Sequence, residues 1–139
     1  MYLAAIATGW ILGFVWPRRF VPDGVSTALG SMVVVAAVVL FFYSGAKFRA
    51  AGTPVPGNRP TTAIVRMGPY RFSRNPIYLA FSLLQFGLAV WTNDLWMMGT
   101  LVIAIGLMAA IVIPREEEYL ETKFGTEYLD YKASVRRWI

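Results

Sequence analysis

The apolar residues of this chain fall into blocks, not into a rhythm that alternates with polar positions. A block of that kind has no polar face to turn toward water, so it constrains the chain to membrane-spanning helices. Composition agrees: 57% of the 139 residues are hydrophobic and 15% are charged, against roughly 45–50% and about 25% in soluble domains. The simplest reading is all-α: a polytopic membrane protein with about four transmembrane helices. The spans run from about Tyr2 to Trp16, from Val25 to Phe48, from Asn75-Pro76 to Trp91, and from Leu95 to Ile113. Thr92-Asn93-Asp94 turns the last two into an antiparallel helical hairpin, with Trp91 and Trp96 suited to an interfacial belt. At about 1.5 Å per residue, the first and third blocks fall short of a ~30 Å hydrocarbon core. Either the bilayer thins there or the third helix starts inside protein. The first block opens at Met1 with no basic leader and no cleavage site, so no cleavable signal peptide is expected.

Charge asymmetry orients the spans. Lys47, Arg49, Arg59, Arg66, Arg71 and Arg74 lie between the second and third without an acidic residue, while the turn at Asp94 has no basic one. The positive-inside rule then places the 47–76 loop and both termini in the cytoplasm, with Arg18 and Arg19 on the far side. A single integral-membrane domain is expected over 1–139, with the first two spans in 1–48 and a cytoplasmic loop in 49–76. The hairpin follows in 77–113 and a cytoplasmic C-terminal helix in 114–139. Prolines and glycines make 49–60 irregular. In the tail, Leu120, Phe124, Tyr128, Tyr131 and Val135 recur at helical spacing, which predicts an amphipathic helix lying on the membrane or folding back over a site.

The sequence contains no cysteine and no histidine. Haem, iron–sulfur and structural zinc sites built on those ligands are therefore excluded, as are cysteine nucleophiles and histidine bases. Chemistry falls to carboxylates, arginines, tyrosines and backbone groups. The net charge of +5 is read through its distribution and is no nucleic-acid signal, since no soluble basic domain carries it.

Two polar clusters flank the hairpin: Gly68 to Tyr78, and Arg115 to Glu118 with Phe124 to Tyr131 beyond. Asn75-Pro76 reads as a helix N-cap followed by proline at the first helical position. The same helix start offers free N–H groups and a positive dipole end for a carboxylate or phosphate, and Arg71 and Arg74 add to that. Each arginine alone reads equally as an anchor to anionic lipid. Glu116, Glu117 and Glu118 point about 100° apart in turn, so at least one faces the bundle, to pair with Arg74 or to bind hydroxyls or a cation. Tyr70, Tyr78, Tyr128 and Tyr131 suit an interfacial belt, or a pocket wall for a purine or a cation. Gly9 and Gly13 form a GxxxG, a dimer signal or a mark of close packing within one protomer.

Together Val65, Gly68-Pro69-Tyr70, Arg74-Asn75-Pro76 and Tyr78, then Glu117-Glu118, Leu120, Phe124-Gly125, Tyr128, Tyr131, Val135 and Arg137 carry a resemblance. Over about residues 47–139 the chain resembles the isoprenylcysteine carboxyl methyltransferase-like enzymes, part of the wider phospholipid methyltransferase group. The resemblance implies S-adenosylmethionine as cofactor, a lipophilic acceptor arriving from the bilayer, and a bacterial inner membrane as location. It places cofactor contacts on Ala63, Ile64, Val65, Tyr70, Arg74, Asn75, Pro76, Ile77, Tyr78, Glu117 and Glu118, and acceptor chemistry on Arg115 and Glu117. No metal is implied. The eukaryotic prenylcysteine enzymes have Arg-His-Pro where this chain has Arg74-Asn75-Pro76, a change that bears on the acceptor more than on the cofactor. The alternatives are a phospholipid amine N-methyltransferase, and a non-catalytic adaptor whose basic loop binds anionic lipid.

Overall fold

Proline and turn residues decide where the helices begin and stop. The computed structural model describes residues 1–54 and 61–139, except the side chain of Asp23; the later part of the irregular 49–60 stretch lies outside the described residues. Helix α1 spans Tyr2–Val15 and ends before Pro17, and α2 spans Asp23–Ala50. A 3-10 turn at Gly68–Arg71 precedes α3, Pro76–Trp91. Helix α4, Leu95–Leu107, is N-capped by Asp94, whose side chain accepts from the Trp96 backbone N–H. A π-helical turn at Met108–Val112 joins α4 to α5, Ile113–Phe124. Gly125, at φ 56°, separates α5 from α6, Thr126–Ser134. No strand occurs among the described residues.

Two helices are long and apolar enough to cross a membrane, Gly24–Ala50 and Leu95–Phe124. This is fewer than the four spans expected. Helices α1 and α3, with 14 and 16 residues, reach only about 21 and 24 Å at a rise of 1.5 Å per residue. The helix of the fourth span runs on past Ile113. Pro114 does not break the rod, because it falls in the first turn of α5 directly after the π turn. The widened turn, in which the Ile113 N–H bonds the Met108 carbonyl, takes up the missing proline N–H without a break. The tail is two helices and not one, because Gly125 adopts a left-handed φ that ends α5.

Packing runs α2 against α3, α3 against α4, and α4 against α1. Much of what lies between the helices is small or polar, Ala37, Ala80, Ala89 and Ala104 with Ser44, Ser82 and Gln85, beside a core of Tyr2, Leu101, Met108 and Ile113. Many large apolar side chains point outward, with Leu3 79% and Phe14 85% exposed. That inversion suits lipid surroundings, where close helix approach takes the place of the hydrophobic effect. Gly9 and Gly13 lie where α1 meets α4, against Met97 and Asp94, so the GxxxG serves packing within the protomer. Gly30 lies against the backbone of Trp91 at the α2–α3 crossing.

At one end of the bundle the α1–α2 connection folds over the hairpin turn. Asn93, at φ 53°, accepts from the N–H groups of Phe20 and Val21 and donates to the Val21 carbonyl. The Leu95 N–H bonds the Arg18 carbonyl, and the Trp96 indole bonds the Trp16 carbonyl. The polar clusters gather at the other end.

A β-carbon on Gly30 would meet the Trp91 backbone N at 2.4 Å, whereas one on Gly99 meets nothing within 4 Å. Gly30→Ala is therefore expected to cost about 1–3 kcal/mol by forcing α2 and α3 apart. Gly99→Ala should be neutral, or stabilising by up to about 1 kcal/mol through helix propensity. Denaturant titration in mixed micelles, followed by helical circular dichroism, checks the contrast; equal effects would contradict the packing.

Candidate functional site

The inward face of α5 follows from helical periodicity. Ile113 is fully buried, and positions three, four and seven residues on are Glu116, Glu117 and Leu120. All three of these line a pocket closed by the end of α2, the segment before α3, the start of α3 and α6. Arg115 and Glu118 lie on the opposite face of α5, exposed and outside the pocket. The expectation that these two share the site is thus not met by their placement.

The other expected residues come together. Ala63, Ile64, Val65, Tyr70, Arg74, Asn75, Pro76, Ile77, Tyr78 and Glu117 all line the pocket. Sequence reasoning missed Phe48 and Thr61 as wall residues and did not single out Glu116. Counting back from Leu120 by three and four positions would have found both inward glutamates. The pocket is a slot. Its empty space, open mouth included, is about 710 Å3.

Glu117 organises one end. Its carboxylate lies 3.0 Å from the Arg74 guanidinium and takes a two-pronged contact from Arg137 at 3.1 and 2.8 Å. The Lys132 ammonium stands 3.9 Å away. The side chains of Glu117 and Arg74 are only 8% and 9% exposed, so each charge depends on the other for compensation. The chain end is tied down at the same place. The Arg74 N–H donates to the Arg136 carbonyl at 2.9 Å, and the Asn75 amide donates to the Arg137 carbonyl at 3.0 Å.

Asn75 does occupy the N-cap position of α3, but its side chain makes no cap bond. The expected side-chain capping is corrected: the amide is committed to the tail instead. Bonding to Glu117 raises the Arg137 guanidinium above its already high ordinary pKa, so the fork stays charged.

Glu116 is different. It accepts from the Tyr78 hydroxyl at 2.9 Å, and no basic side chain pairs with it among the described residues. Two adjacent carboxylates therefore face one pocket, one neutralised by cations and one not.

Tyrosines supply much of the wall. Tyr131 donates to the Tyr70 carbonyl at 2.8 Å, and the Tyr70 ring meets Phe48 edge-on at 5.1 Å. Burial, with a smaller push from Glu117, raises the Tyr128 phenol to about 12. Burial first, then neighbouring phenols or carboxylates, raises Tyr70 and Tyr131 further. These hydroxyls thus remain protonated at physiological pH and serve as donors, not as bases. Two buried donors of lining residues have no protein partner, the Tyr70 hydroxyl and the Arg74 Nε. Buried polar groups are rarely left so, and both belong to residues that line the pocket.

Removing Glu117 charge would leave Arg74 buried and uncompensated. Glu117→Gln is expected to cost about 3 kcal/mol, and Arg137→Gln, at a more exposed position, about 1 kcal/mol. Unfolding of both variants and the double variant measures the coupling; strictly additive losses would disprove the shared cluster.

Over 64 residues, 45% of this chain and all of the relative, the sequence is 39% identical to an uncharacterized protein of Haemophilus influenzae. No solved structure matches the chain. The pattern of the phospholipid methyltransferase family matches residues 25–127, which takes in nearly all of α2, the pocket wall apart from Tyr128 and Tyr131, and both inward glutamates. With two helices able to cross a membrane and that pattern over most of its length, the chain is a membrane protein that belongs to the phospholipid methyltransferase family.

Proposed function

We propose that the protein is an S-adenosylmethionine-dependent methyltransferase, isoprenylcysteine carboxyl methyltransferase-like, acting on a lipophilic acceptor at the cytoplasmic membrane face. It is a multi-pass protein in this reading, with α1 and α3 completing a four-helix transmembrane bundle and both termini cytoplasmic. Family membership supports methyl transfer. The observation that carries the cofactor is the pair of unpartnered buried donors, the Tyr70 hydroxyl and Arg74 Nε, beside a carboxylate in a largely apolar slot.

Those residues fit the cofactor's parts. Arg74 and Tyr70 suit its carboxylate, Glu117 its ribose hydroxyls, and Ala63 to Val65 with Ile77 the face of its adenine. When bound, the cofactor supplies a methyl group on a positively charged sulfur. The protein's share is to align the acceptor and keep water out, which the apolar wall and the tail over the pocket accomplish.

Glu116 favours an amine acceptor, as in phospholipid amine N-methylation. In that second reading its carboxylate, without a basic partner among the described residues, attracts an ammonium and accepts the proton that the amine must lose before attack. Arg115 and Glu118, exposed on the far face of α5, lie outside these roles.

Calorimetry with S-adenosylmethionine in detergent tests the site. Tyr70→Phe removes a hydroxyl with no protein partner, so folding should be unchanged while binding weakens about tenfold. Glu116→Gln should retain cofactor binding and lose transfer to an amine by about a hundredfold or more. Labelled cofactor incubated with a cell lipid extract should yield a methylated lipid. Native-like binding by Tyr70→Phe together with no labelled lipid would refute the reading.

A further inference from the structure

Behind the pocket wall lies a second concavity with a different chemistry. Leu40 and Tyr43 of α2 form one side, and Gly68, Pro69, Arg71 and Phe72 form the other. It is an open groove of about 870 Å3, mouth included. The 3-10 turn separates it from the pocket, with Tyr70 on the pocket side and Pro69 and Arg71 on the groove side.

The α2 side has a polarity gradient. Leu40, Tyr43 and Lys47 follow at helical spacing along one face, an aliphatic chain, then an amphipathic ring, then a cation. Lys47 lies across Gly68, with its ammonium 5.0 Å from the centre of the Tyr43 ring. Opposite, Arg71 is exposed beside Phe72, a bulky ring 73% exposed. No carboxylate pairs with Lys47 or Arg71 among the described residues.

Two uncompensated cations above an apolar floor, at the end of a helix long enough to cross a membrane, match a lipid with a negative headgroup. We infer that this groove seats one anionic phospholipid, its phosphate between Lys47 and Arg71 and its chain along Leu40 and the outer face of α2. The site is separate from the pocket and does not depend on methyl transfer.

Native mass spectrometry of the full chain in neutral detergent tests it, with phosphatidylglycerol and phosphatidylcholine of identical acyl chains as probes. Phosphatidylglycerol should be retained as a single adduct about tenfold more strongly. The Lys47→Gln/Arg71→Gln variant should lose that preference, and Arg18→Gln, at the opposite end of the bundle, should keep it. Leu40→Glu, which puts a carboxylate on the groove floor, should lose it as well, and so decides the matter if the double variant fails to fold. Equal retention of the two lipids, an equal loss in Arg18→Gln, or displacement by inorganic phosphate would each overturn the assignment.

Discussion

The site end of the molecule depends on one carboxylate. Glu117 projects from α5 into a place with little solvent and collects Arg74 from before α3 and Arg137 from the chain terminus. The three segments meet there with hydrogen bonds around the charges, since α6 is short and the terminal residues beyond it form no helix. A charge cluster of this kind is a demanding fastener. Its buried pair, Glu117 and Arg74, must both be present, because neither can be solvated alone. Its geometry fixes the tail beside the pocket, and the backbone bonds from Arg74 and Asn75 to the last residues follow from that placement.

The bundle beneath has to present α5 at a constant height, and it does so with contacts suited to lipid. Small residues bring α2 close to α3 and α1 close to α4. At the far end Asn93 closes the turn by satisfying backbone groups of the α1–α2 connection. Polar bonds thus occupy both ends while the middle relies on close approach, with Gln85 reaching the Met97 carbonyl and Thr100 as an interior crosslink between α3 and α4.

How far the sequence discloses this differs by residue. Arg74 and an inward glutamate were legible because a charge at a membrane edge requires a partner, and opposite charges flanking a hairpin can meet. The choice among Glu116, Glu117 and Glu118 required the phase of α5, which Ile113 and Leu120 encode but a run of glutamates obscures. Asn75 read as a cap because local rules see only neighbouring residues. Its actual acceptor, the Arg137 carbonyl, is a backbone atom 62 positions away that no side chain advertises. The break at Gly125 was hidden for a related reason: Phe124 and Tyr128 keep helical spacing across it, so periodicity continues where the backbone does not. Block length overstated the number of independent spans, since apolarity marks lipid contact without requiring that a helix cross unaided.

The π turn at Met108–Val112 has a consequence for how this protein can vary. A rigid rod transmits rotation, so any change in how α4 seats against α1 would turn the two carboxylates away from the pocket. A turn that already holds one residue more than an α-helix acts as a slip joint, able to absorb or release about 100° of rotation. The lipid-embedded half and the chemical half of the same rod can then change independently. Repacking of the first to suit a thicker or thinner bilayer need not disturb the aim of the second.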